Sequence, residues 1–462
     1  MQIQFFGACR EVTGSCYFIS VGGKHLLLDC GLIQGSRQHE RHNQDAFPFD
    51  LQQIDAVVLS HAHLDHSGRL PLLVKQGYQG PIHTHPASAE LCQVMLEDAG
   101  YLQEKDAEWE NRKRERKGLE PIEPLYTRAD ASSTLSLFAP NPYQTRKQIL
   151  PGVWLTLHDA GHILGSAIVE LELEENGKKR TLVFSGDLGH AGAPILPPPA
   201  TLKHADLLLL ESTYGDRLHR DWENTWEEMG EVFQLARETH GNVLIPAFAV
   251  GRTQQLLHIF RQYMHDWKLD HWQIFLDSPM AIRATEVYSH HVGLYNLQAR
   301  DRLSKHGPPF ELPNLQMTRS SIDSMKINQF KAGAIIIAGS GMCTGGRIKH
   351  HLKHNIWRRQ NHVMIVGFQA KGTLGRSLVD GARHIRLWGE TVQVNAHIHT
   401  IGGLSAHADQ QGLLDWYRAF ENRPRIALVH GEESAMYPLA DALRKQGRAQ
   451  VDIPEFGQVM DI

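Results

Sequence analysis

Cysteine is scarce in this chain: five residues, Cys9, Cys16, Cys30, Cys92 and Cys343, are odd in number and scattered, with no C-x-x-C pair. That distribution argues against a disulfide framework and a cysteine zinc site, and it fits a reducing compartment. Long apolar runs are missing too. "AIIIA" at 334–338 and "LLLL" at 207–210 fall far short of the about 20 residues that cross a bilayer. The opening "MQIQFFGACREVTG" has no basic region, apolar core or small-residue cleavage site, so no secretory signal is expected. These absences lead to the expectation of a cytoplasmic protein with no membrane partner. Excess positive charge is absent as well. With a formal net charge of −4, a polyanionic substrate would need a local basic cleft. Neither low-complexity sequence nor an internal repeat is present, and 462 residues exceed what one core can organise, which predicts two or three domains.

Histidine is abundant: 29 residues, well above what packing requires. Imidazole is the commonest metal ligand. The densest cluster, "SHAHLDHSG" at 60–68, follows "DAVVLS", a short β-branched run that predicts a buried strand. An H-x-H-x-D-H hexapeptide arises by chance in roughly one such sequence in two hundred. In extended backbone His61 and His63 project to one side. Asp65 and His66 then lie where the chain turns, free to reach a second metal. Imidazole and carboxylate ligands suit zinc. His162 in "DAGHILGS", Asp187 in "FSGDLGH" and His430 in "ALVHGEE" each follow an apolar run and sit beside glycine. Asp29 in "LLLDCG" shares that context and could orient a ligand through a hydrogen bond. "HTH" at 83–85 and "HIH" at 397–399 lack the following acid, and "KHHLKH" at 349–354 reads as an exposed helix. The run "RKRERK" at 112–117 reads as the solvated end of a helix over 87–118.

The N-terminal "QIQFFGA" and "SCYFISVGGKHLLLDCG" read as strands with a hairpin at Gly22 and Gly23. "APILPPPA" at 193–200 is the first plausible linker. From about residue 222 apolar strands alternate with helices, the pattern of a parallel, Rossmann-like domain. After about 381 the chain returns to strand-like segments.

"HAHLDH", "DAGHILGS" and "SGDLG", in this order, resemble the metallo-β-lactamase superfamily. "ESTYG" at 211–215, "SAHAD" at 405–409 and "VHGE" at 429–432 are similar to the three added motifs of the β-CASP nucleases. In length the chain resembles the compact bacterial ribonucleases of that family, relatives of the eukaryotic pre-mRNA 3′-end endonuclease. The resemblance implies an α/β protein: a metallo-β-lactamase αββα sandwich over 1–210 and 381–462, with a β-CASP domain over 211–380 inserted. It implies two zinc ions per chain, one held by His61, His63 and His162, the other by Asp65, His66 and His430, with Asp187 bridging. Glu211 and His407 become a catalytic pair, joined in the reaction by Asp65 and Asp187, with the histidine as general acid. A histidine at the "VHGE" position resembles the RNA-directed members, and a homodimer is a family-level expectation only.

The function expected on this basis is zinc-dependent hydrolysis of single-stranded RNA by a two-metal hydroxide mechanism, leaving 5′-phosphate and 3′-hydroxyl ends. Internal cutting, 5′ to 3′ removal from an end, or both fit equally. A DNA nuclease and a small-molecule thioester or lactam hydrolase are the alternatives. Glycine-bordered strand ends at Arg252, Ser278, Ser340 with Gly341, and Thr373 with Arg376 are expected to bind RNA phosphates through backbone N–H groups and local positive charge. The glycines of "AGSGMCTGGR" run G-x-G-x-x-x-G and do not predict a dinucleotide site.

Overall fold

Alternating burial carries the N-terminal segments into a sheet. In Tyr17–Val21 the side chains of Tyr17, Ile19 and Val21 turn inward, and the strand pairs antiparallel with Lys24–Leu28 across the Gly22–Gly23 turn. Both turn glycines have positive φ, which a side chain would resist. The computed structural model describes residues 1–447 and 449–462.

The chain forms two compact units. The first comprises Met1–Ala191, Pro198–Leu218 and His407–Ile462; the second comprises Gly192–Pro197 and His219–Ala406. In the first unit, one seven-stranded sheet runs Val459–Asp461, Gln2–Phe5, Tyr17–Val21, Lys24–Leu28, Ala56–Val58, Ile82–Thr84 and Phe138–Pro140. The other runs Val451–Asp452, Arg425–Val429, Leu207–Glu211, Lys178–Phe184, Ala167–Glu175, Val153–Asp159 and Lys147–Leu150. Their inner faces meet in one apolar cluster, in which Ile3, Tyr17 and Ile19 join Leu155, Leu171 and Leu209. On the outer face of the second sheet, helices Gln410–Arg418 and Glu433–Ala442 cover Leu208, Leu210, Ile426 and Leu428. This is the expected sandwich, assembled from both ends of the chain.

The second unit holds a six-stranded parallel sheet, in the order Leu315–Met317, Gln273–Leu276, Ala334–Ala338, Val243–Pro246, His362–Ile365 and His397–Thr400. Its central strands are buried throughout, as a sheet covered on both faces requires.

Two sequence expectations differ from what the chain does. Residues 381–406 were expected in the C-terminal return, yet His397–Thr400 pairs parallel with His362–Ile365 in the second unit, so the return begins at His407. The proline-rich stretch is also more than a linker. Asn296 donates from its backbone N–H to the Ile195 carbonyl and from Nδ2 to the Ala193 carbonyl, fastening Gly192–Pro197 to the second unit. Among the described residues, no helix is long and apolar enough to cross a membrane.

Candidate metal centre

The strands of the first unit deliver their polar residues at their C-terminal ends. His61 and His63 follow Ala56–Val58, Asp65 and His66 lie in the short helix Leu64–Ser67, and His162 follows Val153–Asp159. Asp187 follows Lys178–Phe184, Glu211 ends Leu207–Glu211, and His430 follows Arg425–Val429. Lys178–Phe184, Leu207–Glu211 and Arg425–Val429 are parallel neighbours that finish at one edge of their sheet; Val153–Asp159 runs the same way beyond antiparallel Ala167–Glu175, and Ala56–Val58 brings its residues from the facing sheet.

They form two sets. His63 Nδ1 lies 3.1 Å from both His61 Nε2 and His162 Nε2, and Asp187 Oδ2 stands 3.4 Å and 3.5 Å from the latter two. In the second set His66 Nε2 and His430 Nε2 are 3.1 Å apart, with Asp65 Oδ2 3.5 Å from His430. Asp187 turns its other oxygen to this set, 3.3 Å from His66 and 3.7 Å from His430. One carboxylate thus faces both groups.

The donors fit zinc. Around an ion with nitrogen and oxygen ligands at about 2.0–2.2 Å, tetrahedral donor atoms stand about 3.4 Å apart, close to the spacing of both sets. Asp187 Oδ1 is buried with no hydrogen-bond partner among the described residues, a costly state that a cation would relieve. Burial, reinforced by the neighbouring imidazoles, holds the His61 ring well below its ordinary pKa, and burial lowers His63 to about 4. Both rings are therefore neutral at physiological pH, the form that ligates.

The far nitrogens are anchored. His66 Nδ1 donates to Asp29 Oδ2 at 2.7 Å. Ser60 Oγ donates to the same oxygen at 2.9 Å, so its lone pair accepts from His61 Nδ1 at 3.1 Å. His430 Nδ1 meets Thr213 Oγ1 at 3.1 Å. Each contact leaves Nε2 as the lone-pair nitrogen aimed inward. Ser60 and Thr213 escaped sequence reasoning although both stand inside quoted motifs, because spacing does not show which ring nitrogen a neighbouring hydroxyl will meet.

Beside the first set stand Glu211 and His407. The His407 Nδ1 lies 3.2 Å from Glu211 Oε2, and Glu211 Oε1 accepts from the Leu188 N–H at 2.6 Å. Burial disfavours an imidazolium here, but Glu211 and then Asp187 outweigh it and raise His407 to about 9. The His407 ring lies 4.5 Å from that of His162, adjoining the ligand sets.

The expected phosphate ligands all belong to the second unit, at the C-terminal ends of its parallel strands or at helix starts. Ser278 caps Pro279–His290 and Thr373 caps Leu374–Val379. Ser340 Oγ accepts from the Thr344 and Gly345 N–H groups, and the Gly341 carbonyl accepts from Gln369. The Gly375 N–H donates to the Met342 carbonyl at 3.0 Å, which brings the Ser340–Gly341 and Thr373–Arg376 loops together. Arg252 and Arg376 are already engaged: Arg252 bonds Gln255 and the Leu404 carbonyl, and Arg376 pairs with Asp380.

A sandwich with two facing histidine–carboxylate sets at its strand ends defines a metal-dependent hydrolase of the metallo-β-lactamase kind. The sequence profile of the metallo-β-lactamase superfamily matches residues 9–239, that of the Beta-Casp domain residues 253–378, and that of the Zn-dependent metallo-hydrolase RNA specificity domain residues 391–454. The chain belongs to the β-CASP family of the metallo-β-lactamase superfamily. It is 38% identical to Ribonuclease TTHA0252 of Thermus thermophilus, over 99% of both chains. It is 31% identical to Transcription termination factor FttA of Methanocaldococcus jannaschii, covering 98% of this chain and 70% of the relative. A protein of unknown function from Enterococcus faecalis shares the fold, with a TM-score of 0.54 at 12% identity over 99% of both chains.

Proposed function

We propose that the protein is a zinc-dependent ribonuclease that hydrolyses phosphodiester bonds of single-stranded RNA in the cytoplasm, leaving 5′-phosphate and 3′-hydroxyl ends. The observation that carries this reading is the Glu211–His407 pair beside two ligand sets joined by Asp187. A thioester's thiolate leaves without a proton, whereas the 3′ alkoxide of a phosphodiester is a poor leaving group until it receives one. The substrate class is supported by the matched RNA specificity domain and by a relative named as a ribonuclease.

His61, His63 and His162 would hold one zinc, Asp65, His66 and His430 the other, and Asp187 both. Bound zinc supplies Lewis-acid neutralisation of phosphate charge and a water acidic enough to lose its proton near neutral pH. The chain's own residues do the rest. Glu211 accepts from Nδ1 of His407, fixes the ring and keeps it protonated. His407 then delivers a proton from Nε2 to the departing 3′ oxygen. Asp29, Ser60 and Thr213 hold the ligand rings in the tautomer that points inward.

The test compares zinc-loaded protein with His407→Ala on a single-stranded RNA and a DNA of identical sequence, each end-labelled. RNA cleavage that falls by about 10²–10⁴ in the variant, with zinc content unchanged, is expected. Cleavage of DNA in preference to RNA overturns the substrate assignment, and unchanged turnover removes His407 from the chemistry.

A further inference from the structure

Residues 341–400 carry nine lysines and arginines against two carboxylates, within a chain whose net charge is −4. Helix Ile348–Asn355 carries Lys349 and Lys353, Arg358 and Arg359 follow it, and the hairpin formed by His384–Leu387 and Glu390–Gln393 carries Arg386. Both are laid on one apolar cluster, the helix side through Ile348, Leu352 and Ile356 and the hairpin through Ile385, Leu387 and Val392. Burying those six leaves His350 and His354 exposed on the helix and Arg386 exposed on the hairpin, with Lys349 half-buried beside them.

Two indoles stand in this basic surface. Trp388, at the hairpin turn, is 55% exposed; the His350 ring lies 4.4 Å from it and Lys349 Nζ 5.1 Å from its centroid. Trp357, just past the helix, is 50% exposed with the Arg358 guanidinium 5.1 Å from its ring. Asn395 Nδ2 donates to the Trp357 carbonyl and the Val394 N–H to the Arg383 carbonyl, which ties the helix end to the base of the hairpin. The two carboxylates of the segment are already paired, Asp380 with Arg376 and Glu390 with Lys353. The charge of Lys349, Arg358 and Arg386 is therefore uncompensated within it.

Half-exposed aromatic rings set among uncompensated cations are what single-stranded nucleic acid needs: a π-face for each base and a cation for each neighbouring phosphate. A purely apolar partner would not require the charge. We propose that this face is a second RNA-binding surface, separate from the hydrolytic residues, where bases stack on Trp357 and Trp388 while Lys349, Arg358 and Arg386 meet phosphates. The proposal rests on the ribonuclease reading given above.

The experiment uses the full zinc-loaded chain with a 30-nucleotide and a 6-nucleotide single-stranded RNA. Trp388→Ala, and separately Lys349→Glu with Arg358→Glu, should raise KM for the long RNA about tenfold with kcat unchanged. Both variants should leave the short RNA unaffected. The double charge variant should also flatten the salt dependence of log KM by at least about 1.4, at about 0.7 for each lost phosphate contact. Trp388→Tyr, which keeps a stacking ring, should recover wild-type KM. A wild-type protein that cuts neither RNA overturns the ribonuclease reading itself. If the wild type cuts both RNAs and the variants match it, this surface alone is overturned. It is likewise overturned if the variants lose self-association with unchanged RNA parameters, which would assign the face to a second copy.

Discussion

His407 Nδ1 and Glu211 Oε2 lie 3.2 Å apart, with Glu211 wholly buried and its other oxygen held by the Leu188 N–H. A carboxylate fixed on one side has a single direction left for its charge, and that direction is the imidazole. In the proposed reaction that geometry would give the proton carrier a fixed orientation.

Glu211→Gln keeps an acceptor for the Leu188 N–H but removes the charge that raises His407. A general acid acts in its protonated form, so activity falls as pH rises through its pKa. In the variant that alkaline limb should move to lower pH, and kcat at pH 8 should drop by about tenfold or more. A pH–rate profile of kcat with metal content measured alongside checks this. A limb that stays in place would show that Glu211 does not set the histidine's protonation.

Asp29 sits where only some residues rest comfortably, with φ of +57°, and it accepts from His66 Nδ1, Ser15 Oγ, Ser60 Oγ and the Ser60 N–H. Asn adopts that backbone more readily than Ala, so Asp29→Asn is the informative change. Losing the charge behind His66 should weaken metal at the second set by about 10–100-fold, in the range measured for such supporting carboxylates. Competition against a chromophoric chelator should show one of two ions leaving first, whereas the wild-type pair leaves together at higher chelator.

Asp187→Ala should be the most damaging single change to metal content, since its two oxygens face different sets. His430→Ala is expected to retain about one zinc per chain and Asp187→Ala less, read by elemental analysis after dialysis. Because metal bound to the folded state stabilises it by mass action, chelator should lower Tm of the wild type and leave that of Asp187→Ala nearly unmoved.

Legibility from sequence followed locality. His61, His63, Asp65 and His66 fall within six positions, and each remaining ligand follows an apolar run, so the spacing alone announces a strand tip with metal donors. Glu211 and His407 are 196 positions apart and had to be reached through motif resemblance. The end of the inserted unit was misplaced at 380 because "HIRLWGETVQV" followed by "HIHT" reads as a run of half-exposed strands. Only the parallel pairing of His397–Thr400 with His362–Ile365 reveals that the second unit continues. There "HIH" forms neither a turn nor a ligand set; His397 and His399 both stack on His362.

Asp277, next to the expected phosphate ligand Ser278, is a buried charge hub of the second unit. Its carboxylate accepts from Thr318 Oγ1, from Ser324 Oγ at 2.6 Å, from Arg347 Nη1 at 2.7 Å and from His351 Nε2 at 2.6 Å. Those partners lie up to 74 positions away without periodicity, so no sequence pattern marks them. Burial alone would raise the pKa of Asp277, but the four donors prevail, beginning with His351, and lower it to about 2. A carboxylate depressed in the folded state contributes stability above its unfolded pKa of 3.8 and loses it as pH falls through about 2. The difference is worth about 2 kcal/mol at neutral pH. Asp277→Asn also leaves Arg347 and His351 facing a neutral amide, so it should destabilise by about 3 kcal/mol at pH 7. That penalty should shrink between pH 4 and pH 2, where the wild-type carboxyl itself becomes neutral. Urea unfolding of both proteins at pH 7, 4 and 2.5 measures the gap, and a gap independent of pH would mean that the hub acts through shape rather than charge.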